Sequence, residues 1–310
     1  MSRPSTPLRS AEGGRRGTRA LALAAALLAA APAARAAPAG SPWNAAYFGN
    51  TVLVTQDGKP VKLHDDLLAG RRVVIAFVDP RCDGECGLVT ANLVRIRRLL
   101  GDRVGRDLFF YTVSVDPRAT PESLRAYAAA YKADWTFLAG SEADLLTVRG
   151  KFGDHAPLDV HSPRIAVGNE TTGEWMTQGG LDNPAYLAGV LGNWLDPAWA
   201  TRRDAVRSYA EAPAIAKPTQ GELLWRQKCA ACHAPGGKSV GPSLAGVTER
   251  RARGWLVRFI ADPKGLARSG DPDARALAAA YQAAPMPKLG LGEEEADAVV
   301  SYLEHGAGRP

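Results

Sequence analysis

Two cysteine pairs are the residues most able to do chemistry in this sequence. In the run Cys229-Ala230-Ala231-Cys232-His233, a histidine directly follows the second thiol. At that spacing, two thiols can add across the two vinyl groups on one edge of a porphyrin. The adjacent imidazole then lies under the iron as an axial ligand. A thiol redox pair would not need the histidine. A zinc half-site would need two more ligands, and residues 218–310 hold no further cysteine and only one further histidine, His305. One covalently attached haem c is therefore expected on Cys229 and Cys232, with His233 on the iron. Met286 is the only methionine in this region and lies between Pro285 and Pro287, a stretch too rigid and polar for simple core packing. It is the expected second axial ligand. Methionine with histidine raises the potential and closes both axial positions, which suits electron transfer better than oxygen chemistry.

The second pair is Cys82-Asp83-Gly84-Glu85-Cys86. Within a regular helix, residues four apart have Cβ atoms about 5–6 Å apart, whereas a relaxed disulfide wants roughly 3.5–4.5 Å. On a helix, such a pair suits two thiolates on one soft metal ion, Cu(I) or zinc. Gly84 and a loop-to-helix position would relax the segment enough to oxidise. A structural disulfide is the alternative in an oxidising compartment.

These residues need elements to position them. Val73–Val78 and Leu108–Val115 read as buried strands, each stopped by Asp-Pro (Asp79-Pro80, Asp116-Pro117). Leu88 to Leu100 has helical spacing between them. Thr120 is an expected N-cap, with Pro121 at the first helical position. Arg164–Val167 and Glu174–Met176 flank Gly173 as a hairpin, and Pro184 to Trp194 reads as a last helix. Residues 37–60 read as an entry segment ending in a turn at Asp57-Gly58-Lys59-Pro60. The order predicts a central sheet covered by helices. Asp79 and Asp116 read as turn residues, not acid–base catalysts. Residues 197–217, with Pro197 and Pro213 among alanines and charges, read as a linker. The expected organisation is a leader at 1–36, an α/β domain at 37–196, the linker at 197–217 and a small all-α domain at 218–310.

The leader accounts for the basic balance. The chain of 310 residues carries a net charge of +6, and its first 36 residues hold six arginines and one acid, Glu12. Without them the charge is +6 − 5 = +1, so no surplus remains to bind phosphates and no nucleic-acid partner is expected. An arginine-rich stretch, the apolar run Ala20–Ala31 and the small residues Ala34-Arg35-Ala36 have the anatomy of an export signal. Cleavage is expected near Ala36 and localisation in a periplasm, an uncleaved membrane anchor being the alternative. No spanning segment is expected after the leader.

The C-terminal region resembles the class I cytochrome c family. The resemblance runs through Gly221–Trp225, the C-x-x-C-H run, Gly241-Pro242-Ser243-Leu244, Trp255, Pro285-Met286-Pro287 and Ala298–Leu303. It implies Met286 as an iron ligand and the Pro242 backbone as the group that orients His233. It also implies that Gly221, Trp225 and Tyr302 pack the first helix against the last.

Residues 45–196 resemble the Sco/SenC family of thioredoxin-fold copper proteins. The features are C-x-x-x-C after a strand, Val113-Ser114-Val115-Asp116-Pro117, Thr120–Leu124 and the distant His161-Ser162. The resemblance implies a copper site of Cys82, Cys86 and His161. His155 is a rival ligand, and His64 is read as structural. Three departures affect tuning and partner recognition while keeping the ligands. Asp83 and Gly87 follow the cysteines where the family usually has proline, and Val160 precedes the histidine where it usually has aspartate.

The leading expectation is an exported haem- and copper-binding protein, tied by resemblance to copper delivery or thiol maintenance in respiratory oxidase assembly. Its partner would be an oxidase subunit or another periplasmic redox protein. The alternatives are a haem-linked thiol–disulfide oxidoreductase with Cys82 and Cys86 as redox pair, and an electron carrier whose first domain only docks.

Overall fold

The computed structural model describes residues 42–82, 86–195, 217–233 and 240–305. The expected leader, its cleavage point and the linker up to residue 216 lie outside the described residues.

Among the described residues, seven strands form one sheet in the order β2-β1-β5-β4-β3-β6-β7. They are β1 (Val52–Thr55), β2 (Pro60–Lys62), β3 (Arg72–Val78), β4 (Phe109–Ser114), β5 (Thr136–Ala139), β6 (Arg164–Asn169) and β7 (Glu174–Gly179). The central β3, β4 and β5 run parallel, while β1 against β5 and β6 against β3 are antiparallel. The two expected strands are β3 and β4 at the centre. β3 ends where its Asp-Pro begins and β4 one residue before its own, since proline cannot donate to a ladder.

Alternate residues of β3 serve the two faces. Val74, Ala76 and Val78 pack under α2 (Cys86–Leu100), α3 (Pro121–Tyr131) and α5 (Pro184–Leu195). Val73 and Ile75 pack under α1 (Ala45–Phe48), a π-helical turn at Leu63–Leu68, and α4 (Glu142–Lys151). A parallel centre covered on both faces explains why β3 and β4 read as continuous apolar runs. Thr120 caps α3 in a reciprocal capping box with Ser123, and Pro121 opens the helix. Gly173 turns the β6–β7 hairpin at φ 73°, where a left-handed turn needs glycine.

The helical part comprises α6 (Gln220–Leu224), α7 (Val247–Arg250), α8 (Arg253–Ala261), α9 (Pro263–Arg268), α10 (Pro272–Ala280) and α11 (Glu293–His305). Its core holds Trp225, Leu256, Ile260, Ala296, Val299 and Val300. A methyl group on Gly221 would overlap the carbonyl oxygen of Ala298, so glycine lets α6 lie directly on α11. Trp225 and Tyr302 meet across the same crossing, with ring centroids 6.1 Å apart. These three residues serve helix packing, as the sequence reading expected. Among the described residues, no helix is long and apolar enough to cross a membrane.

Candidate metal and haem sites

The α/β domain brings Cys82, Cys86 and His161 together. One ligand atom from each lies within 4.8 Å of the others. Cys82 follows the turn after β3, where its N–H donates to the Asp79 carbonyl at 3.1 Å. Cys86 is the first residue of α2, at the end where the helix dipole favours negative charge. The pair thus straddles a loop and a helix start instead of lying within one helix, so the helical Cβ spacing does not apply. With Cα atoms 6.0 Å apart, the two sulfurs are joined as a disulfide, and the Cα separation lies within the usual span of about 4.4–6.8 Å. Two thiolate ligands therefore require the reduced pair.

The loop bearing His161 has a buried anchor that the sequence reading missed. Arg149, in α4, is 1% exposed. Its guanidinium donates to the carbonyls of Pro157 at 2.8 Å and Val160 at 2.6 Å, and pairs with Asp154 at 2.8 Å. One side chain thus fixes residues 154–160, directly before His161. In sequence it is one charged residue in a helix, and nothing in its spacing marks it.

Asp79 and Asp116 serve turns, as expected, and do more. Asp79 accepts from the Arg81 N–H at 2.7 Å, and its other oxygen lies 3.9 Å from His161 Nε2. Asp116 is buried and pairs with Arg81 at 2.5 Å and Arg118 at 3.3 Å, so it anchors the residue preceding Cys82. Burial alone would raise its pKa. Hydrogen bonds from the Arg118 backbone and guanidinium, with the Arg81 and Arg118 charges, outweigh burial and lower it. His64 and His155 stand outside the three-ligand group. His64 is buried between Asp65 at 3.0 Å and Glu170 at 3.3 Å.

The helical domain surrounds an apolar cavity of about 500 Å³. Cys229, Cys232, His233 and Met286 all line it, among Leu244, Leu256 and Phe259. A π-helical turn, Trp225–Cys229, delivers the first cysteine, and the Ala230 N–H reaches back to the Trp225 carbonyl at 2.8 Å. Such turns are frequent at functional sites. His233 Nδ1 lies 2.9 Å from the Pro242 carbonyl. A carbonyl only accepts, so Nδ1 carries the proton and Nε2 keeps a lone pair for a metal. Burial lowers the His233 pKa and favours this neutral form. A methyl group on Gly241 would press on the imidazole, so glycine permits the ring's position. Burial first, and then the neighbouring thiol, pushes Cys229 up to about 12, and burial raises Cys232 equally. Two thiols, a neutral imidazole and a thioether around one apolar cavity fit a covalently held haem.

The fold and the two sites define a thioredoxin-like α/β domain joined to a small helical haem-binding domain. Residues 42–164 match the SCO1/SenC family model and residues 218–307 match the cytochrome c model. The first folded part is thus a SCO1/SenC domain and the second a cytochrome c domain. Among solved structures, the chain is similar to Arabidopsis thaliana ScoI with copper bound, at 19% identity and TM-score 0.40, covering 47% of this chain and 95% of that one. It is similar to copper-bound ScoI of Bradyrhizobium japonicum, at 21% identity and TM-score 0.39, covering 46% and 96%. Yeast Sco1 aligns at 17% identity and TM-score 0.42, covering 48% and 97%. No match was found among curated proteins.

Proposed function

We propose that this is an exported redox protein holding one copper ion and one covalent haem c, active as a copper chaperone or assembly factor for a respiratory oxidase in the periplasm. The carrying observation is the meeting of Cys82, Cys86 and His161 within 4.8 Å, in a chain that also builds a haem cavity. Two thiolates and an imidazole can hold Cu(I), and the imidazole lets the site also hold Cu(II). Arg149 holds the His161 loop in reach, and Asp116 and Arg81 fix the turn before Cys82. In the second domain, Cys229 and Cys232 would hold the haem covalently, with His233 and Met286 on the iron. The bound haem supplies one-electron transfer. Pro242 fixes the His233 tautomer, and the apolar lining excludes water.

Anaerobic titration of the reduced haem protein with Cu(II) tests this reading. Uptake of one copper with a change in the haem bands is expected, together with marked weakening of copper binding in His161→Ala. Absence of copper uptake would refute it.

A second reading, a haem-linked thiol–disulfide oxidoreductase, is favoured by the bonded Cys82–Cys86 pair. Turnover of a disulfide substrate by the metal-free protein would establish it.

A further inference from the structure

The two domains meet at the haem cavity, within one compact unit. Gly87, Leu88 and Tyr131, all of the α/β domain, line the same cavity as Cys232 and His233. Gly87 is bonded directly to Cys86, so one peptide unit separates a proposed copper ligand from the cavity wall. A methyl group on Gly87 would overlap the Tyr131 hydroxyl, so the ring reaches the wall only because residue 87 is glycine. Ala231, Cys232, Val240 and Ala284 pack against the apolar core of the α/β domain. Arg95 of α2 donates from Nη1 to the carbonyl of Ala230 at 2.7 Å, between the two haem-attaching cysteines. Its guanidinium is the fixed positive charge beside Cys232.

We propose that single electrons pass between the copper site and the haem within one chain, across the wall formed by Gly87, Leu88 and Tyr131, with Arg95 as the positioning residue that holds the contact. This inference rests on the copper and haem reading above. The step would balance without atoms or protons: one electron would leave a ferrous haem held by Cys229, Cys232 and His233 and reach Cu(II) held by Cys82, Cys86 and His161, giving ferric haem and Cu(I). The short path also gives Gly87 a reason to stand where the Sco/SenC resemblance would place proline.

The test uses the full haem-bearing chain, ferric and loaded with one equivalent of Cu(II), its copper content fixed first by equilibrium dialysis. A light-driven one-electron reductant then reduces the haem, and its reoxidation is followed optically. The expected result is first-order decay with a rate constant independent of protein concentration. Arg95→Ala should slow it about tenfold, the shift in contact population that loss of one charge-assisted hydrogen bond gives. Two readouts do not depend on copper. In Arg95→Ala, amide exchange at Ala230 to His233 should quicken about as much, and the haem midpoint potential should fall, with partial rescue by Arg95→Lys. Gly87→Ala should slow the electron step by displacing Tyr131.

Failure to bind copper would overturn the functional reading and this inference together. Bound copper with a reoxidation rate that scales with protein concentration would overturn the inference alone. An electron rate unaffected by both Arg95→Ala and Gly87→Ala would do the same.

Discussion

Replacing Arg149 by methionine separates the anchoring of the His161 loop from the ligand itself. The guanidinium makes two hydrogen bonds to loop carbonyls and one ion pair with Asp154. Methionine keeps much of the buried volume but leaves both carbonyls without their donor and Asp154 with only the Ala156 N–H as its partner. Breaking a fully buried ion pair from one side costs about 3–5 kcal/mol; Asp154 is 23% exposed, so the cost here falls below that range but is still felt against the ~5–15 kcal/mol that holds a typical protein together. The loop from Asp154 to Val160 contains no helix or strand, so much of the loss should appear as local release of that loop. Copper affinity should then fall about 10–100-fold, as when groups that orient metal ligands are removed. The assay is a competition titration of the dithiol form with a Cu(I) chelator, beside urea unfolding followed by tryptophan fluorescence. Arg149→Lys keeps the charge but loses the fork geometry, and should fall between wild type and Arg149→Met. The decisive comparison is a double-mutant cycle. If Arg149 acts through His161, Arg149→Met should weaken copper binding little further in a His161→Ala background. Full additivity, or unchanged affinity in a destabilised Arg149→Met protein, would refute the anchoring role.

Met286→Ala should leave the haem attached but lower its potential and let the ferrous form bind carbon monoxide; a redox titration and a carbon monoxide difference spectrum check this. Haem-free protein should resist alkylation of Cys229 and Cys232 at neutral pH, because burial pushes both thiols up to about 12; mass spectrometry after iodoacetamide reads the outcome. Asp116 has a lowered pKa in the folded state. Its stabilising effect is therefore present above the ordinary aspartate value of about 4 and fades as pH falls through the folded value. Asp116→Asn should remove that part of the acid dependence of unfolding, measured by urea midpoints across the acid range. Gly221→Ala should lower the thermal midpoint of the helical domain by forcing α6 away from α11.

The elements legible in the sequence were those with strong local signals. Val73–Val78 and Phe109–Ser114 could be found because both faces of the central sheet are covered, which makes each strand a continuous apolar run. The capping box at Thr120 and the turn at Gly173 are likewise local chemistry. The β1–β2 hairpin, β5 and α4 went unread. β1, β2 and β5 have four, three and four residues, too short for alternation to stand out. In α4, only Leu145, Val148 and Arg149 are buried, so its apolar stripe is faint and its largest buried residue is charged. The haem motif was readable because covalent attachment demands contiguous residues. The three-ligand group was readable only through resemblance, since His161 lies far from the cysteines in sequence and no spacing rule connects them. Arg149 and Arg95 were invisible for a related reason: each acts through backbone carbonyls, which any sequence supplies.

The Cys82–Cys86 disulfide bears on how the two centres can work together. Reducing it takes two electrons, whereas a haem carries one. A single haem must therefore turn over twice, or pass through a sulfur radical, to open the pair. Copper bound by the open pair changes by one electron and matches the haem directly. The oxidised pair cannot supply two thiolates, so under the proposed reading the thiol state would decide whether a bound haem has a one-electron partner in its own chain. The cavity contact at Gly87 is present with the disulfide closed, so this contact does not require copper. Under the proposed reading, an external dithiol reductant would then act as the gate: opening the disulfide would admit copper to residues beside the cavity that would hold the haem. The order of events can be checked by adding Cu(II) to the ferrous protein before and after such a reductant is supplied and removed. Rapid haem oxidation only after thiol reduction supports the gate. Equal rates in both states would mean that copper reaches the haem without the Cys82–Cys86 pair.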